Sequence, residues 1–227
     1  QRSLVGSEMC IRDRKGGAGK TTLTVLAASY LYYVKGLKVL VVDCDYPQYS
    51  IEEMRQRDKD LIECSPQFKK LFSDNLRQTK LAPYPLLTAK PEEAMRKVRD
   101  IIEAGNEFDI VFFDLPGTVN NRSVVSIINC MDTVIVPIAA DKVILESSLA
   151  FALKIQEWLT TGQSYVKQMF LLWNLVDARE KTDLYDQYEA VFEEYGLQTM
   201  QTKIPDTKKY RLSLIHISEP TRLRCIS

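Results

Sequence analysis

The stretch Lys15–Thr22, KGGAGKTT, constrains this chain more than any other eight residues. Gly16, Gly17 and Gly19 let the backbone curl so that successive amides converge on an anion, with Ala18 the one small side chain among them. Lys20 follows at the distance from which an ammonium reaches the β- and γ-phosphates of a nucleotide, and the Thr21 hydroxyl is suited to Mg²⁺. Thr21 and Thr22 open an amphipathic stretch, so a helix N-terminus would add its dipole to the same anion. The pattern G-x-x-x-x-G-K-[ST] is not met, because Arg14 stands five positions before Gly19. The match is to the form KGGxGK[ST], whose additional lysine is Lys15.

The rest of the chain alternates short apolar runs with longer amphipathic ones. Val39–Val42, Ile110–Phe113, Thr133–Ile138 and Met169–Leu175 are nearly continuous apolar segments, as parallel strands covered on both faces require. A shorter strand is expected around Leu86–Thr88, after Pro83 and Pro85. Between them the spacing predicts helices over Thr21–Val34, Ile51–Ile62, Pro66–Gln78, Pro91–Ala104, Val143–Leu159 and Thr182–Tyr195. Pro91 with Glu92 and Glu93 makes a helix start, and Gly36 and Gly196 stand where helices end. This alternation predicts an α/β fold, a doubly wound, mostly parallel sheet with helices on both faces, in one domain.

Three acids stand at the ends of apolar runs, where open α/β sheets bind ligands. Asp43 and Asp45 close VLVVDCD, and Asp114 closes IVFFD before Pro116 and Gly117. Taken alone, acids in such places serve as helix caps or solvated loop residues; beside a phosphate loop they also suit magnesium and an attacking water. Asn174, at the end of FLLWN, reads from its position as a strand-terminal turn residue.

The two ends read differently. Leu4–Arg14 is LVGSEMCIRDR and Leu212–Arg222 is LSLIHISEPTR. One oligonucleotide encodes both when its two strands are translated in frame, and it resembles a transposase adapter used in sequencing libraries. Residues 1–14 and 212–227 are therefore expected to be non-native, which leaves 15–211 as the folded domain. The strand that should precede the loop is then missing, unless residues such as Met9 and Ile11 take its place.

Composition narrows the chemistry. The single histidine, His216, falls in the second end segment, so histidine catalysis and histidine metal ligation drop out. Of the five cysteines, Cys10 and Cys225 fall there too, and Cys44, Cys64 and Cys130 have no CxxC spacing. A disulfide framework and a zinc site are both disfavoured, and a reducing cytoplasm is expected. Without the five arginines and three acids of the end segments, the net charge is −2. Any nucleic-acid contact must then come from a local patch. No apolar run approaches the ~18 residues of a membrane span.

KGGAGKTT, the Asp43/Asp45 pair followed by Pro47 and Gln48, and DLPG at Asp114–Gly117 together resemble the ParA/MinD/Soj family of deviant Walker ATPases, over essentially all of 15–211. The resemblance implies a slowly hydrolysing ATP switch, a homodimer with two ATP and Mg²⁺ at its interface. It further implies nonspecific DNA binding in the ATP state, a ParB-like partner that stimulates hydrolysis, and a nucleoid-associated cytoplasmic location. It assigns Lys15 to the partner's phosphates and Lys20 and Thr21 to their own nucleotide. Asp45 would act on the attacking water, and Asp43 and Asp114 would support the magnesium. Asn174, Pro205 and Asp206 would surround the adenine, and the basic cluster Lys203, Lys208, Lys209 and Arg211 lies where family members contact DNA. The family motif is usually DxDPQ; here Tyr46 is inserted before Pro47. The rival readings are a MinD-like division-site regulator at the membrane, an iron–sulfur electron carrier, a metabolic ligase, and a nucleotide-binding scaffold without turnover.

Overall fold

The structure is a computed structural model that describes residues 5–7, 17–116, 121–162, 164–177 and 182–206. These form two compact units, one within 21–114 and the other containing residues 5–7, 17–20 and those after 114.

In the first unit, β2 (Val39–Asp43) pairs in parallel with β3 (Leu86–Thr88) on one side and β4 (Ile110–Asp114) on the other. All five residues of β2 are buried, which explains why it reads as an unbroken apolar run rather than an alternating one. Its helices are α1 (Lys20–Ser29), α2 (Ser50–Cys64), α3 (Pro66–Thr79) and α4 (Pro91–Glu103). The helix expected over Thr21–Val34 changes character midway: α1 ends at Ser29 and Tyr30–Val34 continues as a wider π-helical turn. In α4, Pro91 holds the first turn with Glu92 and Glu93, and Pro91, Ala94 and Val98 form the buried stripe.

The second unit is a parallel sheet in the order β1 (Val5–Ser7), β5 (Thr133–Ile138), β6 (Gln168–Trp173), β7 (Gln198–Thr199), with helices α5 (Arg122–Ile128), α6 (Lys142–Thr161) and α7 (Thr182–Glu194). β5 and β6 run in register from Thr133↔Gln168 to Ile138↔Trp173. Asp141 caps α6 by accepting from the Ile144 amide, and Gly162 ends it at φ 67°.

Two expectations are corrected. The strand slot left empty in the sequence reading is filled from the first end segment: Val5–Ser7 pairs with Thr133–Ile135, while Met9 and Ile11 lie outside the described residues. A strand beside β5 needs backbone donors and acceptors more than particular side chains, and Val5–Ser7 supplies them. The run Met169–Leu175 is also shorter than expected, because β6 stops at Trp173 and Leu175 takes a left-handed φ of 56°. Two elements, α5 and β7, have no counterpart in the sequence reading. The α5 sequence, RSVVSII, is β-branched and short, and its helix is set by Asn121, whose side chain accepts from the Ser123 amide. The fold class stands as expected: parallel strands with helices on both sides of the sheet.

Candidate functional site

Lys15, Gly16 and Gly117 lie outside the described residues, as do Lys208, Lys209 and Arg211. The remaining candidates fall into two groups.

The first group is the loop. Gly17 is exposed, Ala18 is fully buried, and Gly19 turns at φ 78°, a backbone state closed to most L-residues. A side chain at Gly19 would also have no room, since a Cβ there would sit 2.5 Å from Asn174 Nδ2. Lys20 opens α1, with Thr21 and Thr22 half-buried behind it, and no acid stands in the helix's first turn to oppose an anion. Asn174, 5 % exposed, donates from Nδ2 to the Ala18 carbonyl at 2.6 Å. Pro205 and Asp206 come beside it: Val176 bridges to Pro205, and the Asp206 amide donates to the Val176 carbonyl. The loop and the β6 end therefore meet, and the tail segment carrying Lys203 joins them.

Behind Asn174 is a closed aromatic cluster. Trp173 is fully buried, with ring centroids 4.8 Å from Tyr185 and 5.9 Å from Phe192, and its Nε1 donates to Glu189 at 2.8 Å. Glu189 also pairs with Lys203 at 3.0 Å. Of the basic cluster expected at 203–211, the described member is thus engaged with its own chain.

The second group is the acids. Asp43 and Asp114 end neighbouring strands with their Cα atoms in register, and both are fully buried. Asp43 accepts from the amides of Ile51 at 2.9 Å, Glu52 at 3.2 Å and Asp45 at 3.2 Å. It therefore caps α2 from eight residues upstream. The position that would ordinarily do so is Tyr49, which is left-handed at φ 45° and makes no side-chain cap. Asp45 is half-exposed and accepts from the Ser50 hydroxyl at 3.4 Å. The capping alternative thus describes Asp43, while Asp45 stands further toward solvent.

Sequence reasoning missed what holds α2 down. Arg55 is 9 % exposed, lies 4.9 Å over the Tyr84 ring and donates to the Tyr84 carbonyl at 3.1 Å. The signal was present: Ile51, Arg55 and Asp58 share one face at helical spacing, and all three are buried. Tyr84 is wholly enclosed, which pushes its hydroxyl pKa up, with the Arg55 charge opposing.

Burial also raises the Asp43 carboxyl above its ordinary value, against the pull of the Glu52, Asp45 and Ile51 amides. A carboxyl that holds its proton more tightly folded than unfolded adds stability at low pH. That contribution is lost as pH rises from the unfolded value, about 4, through the raised one. Asp43→Asn keeps an acceptor for the α2 amides but cannot ionise. The stability advantage of the wild type over this variant should therefore shrink as pH rises from about 4 toward 7, measured by urea unfolding at each pH. Parallel curves would exclude a raised Asp43 pKa.

The residues fit a nucleotide and its cation. The loop combines a left-handed glycine, small neighbours and a helix start that favours anions. Asp43 and Asp114, in register at neighbouring strand ends, carry the oxygen chemistry a hard divalent ion takes, and among the described residues no three acids gather into a ready-made metal cluster. Asp43 already accepts three amides, so most of its lone-pair capacity is used. Asp114, Asp45 and the Thr21 hydroxyl would be the residues to hold a cation, and the chemistry a bound Mg²⁺ would supply is charge neutralisation on the phosphates.

An α/β chain with a glycine-rich phosphate loop opening a helix and acids at strand ends is a P-loop nucleotide-binding protein. More narrowly, residues 10–216 match the CobQ/CobB/MinD/ParA nucleotide-binding domain, and the chain belongs to that family of ATPases and ATP-dependent enzymes. Solved structures share the fold. A plasmid partition protein from Borrelia burgdorferi superposes with a TM-score of 0.55 at 18 % identity, over 96 % of each chain. The MinC:MinD cell division complex of Aquifex aeolicus gives 0.58 at 18 %, over 96 % of this chain and 87 % of that one. Cobyrinic acid a,c-diamide synthase from Mycobacterium smegmatis, with ADP and magnesium bound, gives 0.60 at 22 %, over 96 % and 91 %. No curated protein sequence matches the chain. Among the described residues, no helix is long and apolar enough to cross a membrane.

Proposed function

We propose that the protein is an ATP-driven dimeric switch of the partition type, which binds ATP with Mg²⁺, holds DNA nonspecifically in that state and releases it after slow hydrolysis. The observation that carries the reading is the ordered set KGGAGKTT, Asp43/Asp45 and Asp114, in a chain whose family includes ParA and MinD. Within 15–211, Lys20, Thr21 and the amides of Gly16, Gly17, Ala18, Gly19 and Thr22 hold the phosphates. Asn174, Pro205 and Asp206 stand on the base side, and Asp45 acts on the attacking water. Lys15, the lysine peculiar to this loop form, serves the nucleotide of the partner subunit. A ParB-like protein accelerates the hydrolytic step, and the active species is cytoplasmic and associated with the nucleoid. The end segments 1–14 and 212–227 are adapter-derived and take no part in this chemistry.

The test is ATP-dependent retention on random-sequence DNA, followed with phosphate release, using the full chain. Retention with ATP but not ADP, together with slow phosphate release, is the expected result. Retention on anionic vesicles instead of DNA would favour the MinD-like reading. ATP binding with no phosphate release would leave a scaffold.

A further inference from the structure

Resting on the nucleotide reading above, we infer that Asn174 is a positioning residue for the phosphate loop, aiming the Gly19 amide, and that this role is separate from any contact with the base. The argument begins at the peptide joining Ala18 and Gly19. A trans peptide is planar, with its carbonyl and N–H pointing in opposite directions. The Ala18 carbonyl is held by Asn174 Nδ2 at 2.6 Å, so the Gly19 N–H is turned away from Asn174. Gly19 also lacks the Cβ that would strike Nδ2 at 2.5 Å, so the amide of Asn174 can approach the loop backbone closely. Loop amides bind phosphate only when they converge, and one rotated peptide removes a donor and presents a carbonyl in its place.

Asn174 can impose this orientation because its own backbone is fixed on both sides. Its amide donates to the Ile138 carbonyl at 2.8 Å, and the Trp173 carbonyl accepts from Ile204 at 2.8 Å. The Trp173 indole, fully enclosed, is tied to Glu189. The side chain therefore projects from a rigid strand end onto a loop rich in glycine. A base contact alone would not require the Asn174 amide to be directed at the loop.

The two roles separate with a ligand that has phosphates and no base. Isothermal titration of the full chain with Mg²⁺-ATP and with Mg²⁺-tripolyphosphate compares wild type, Asn174→Ala and Asn174→Asp. The aspartate is isosteric and has no donor. Both variants should lose affinity for ATP and for tripolyphosphate by a similar factor, about five- to tenfold for one hydrogen bond. Weakened ATP binding with unchanged tripolyphosphate binding would overturn the inference and leave Asn174 as a base contact. Unchanged binding of both would overturn it as well. A wild type that binds neither ligand would defeat the nucleotide reading itself. If a variant melts early, a cycle with Gly19→Ala decides: the glycine substitution should cost more ATP affinity beside Asn174 than beside alanine, and equal costs would count against contact between the two.

Discussion

Replacing Lys20 with alanine is expected to abolish ATP binding while leaving the fold in place. Lys20 is the first residue of α1 and only partly buried, so its truncation opens no core cavity. The family reading gives its ammonium both the β- and γ-phosphates. A hydrogen bond to a charged group contributes about 1.5–3 kcal/mol, a factor of roughly 10 to 150 for each. Removing two such bonds at once would move a micromolar site beyond detection by titration calorimetry. Retained micromolar affinity in the variant would overturn the assignment of the loop. Unchanged circular dichroism and melting temperature would show that the loss belongs to the site and not to the fold.

Asp45→Ala is expected to do the reverse, sparing ATP binding and removing turnover. Asp45 is half-exposed, its side chain meets Ser50, and its main-chain carbonyl accepts from the amides of Gln48 and Tyr49. The turn is held by that carbonyl, which alanine retains, so the loop survives the substitution. A group that positions or deprotonates an attacking water contributes typically 10²- to 10⁴-fold to rate. Phosphate release in a single turnover should fall by about that factor, and an ATP-bound dimer should accumulate on size-exclusion chromatography. Normal turnover would remove Asp45 from the mechanism.

The sequence and the structure agree best where residue type alone determines geometry. The β2, β5 and α4 boundaries follow from continuous apolar runs and from Pro91, and they fall within a residue of the expected places. The loop is legible for the same reason, because three glycines before Lys-Thr-Thr chemistry leave few alternatives. What the sequence hides depends on residues distant in the chain. Asn174 and Ala18 are 156 positions apart, and no local spacing pairs them. Arg55 looks like one more charge on a polar helix until Tyr84 closes over it. The helix α5 escapes a sequence reading because β-branched residues mimic a strand, and its cap, Asn121, carries the decision. The first strand reads as absent from the character of its residues, whereas a parallel sheet asks chiefly for backbone partners.

The cap that Asp43 places on α2 bears on how the inserted Tyr46 is tolerated. The carboxylate reaches from the end of β2 to the amides of Ile51 and Glu52, so residues 43–51 form a closed ring whose two ends are fixed by one side chain. Within a ring, one extra residue changes the circumference and leaves the closure point alone, and the entropic cost of a slightly larger loop is small. The surplus is expelled outward: Tyr46 is 50 % exposed, edge-on to Tyr49, with the Lys90 ammonium 4.8 Å from its ring. The closure at Asp43 thus absorbs the extra residue without shifting the start of α2.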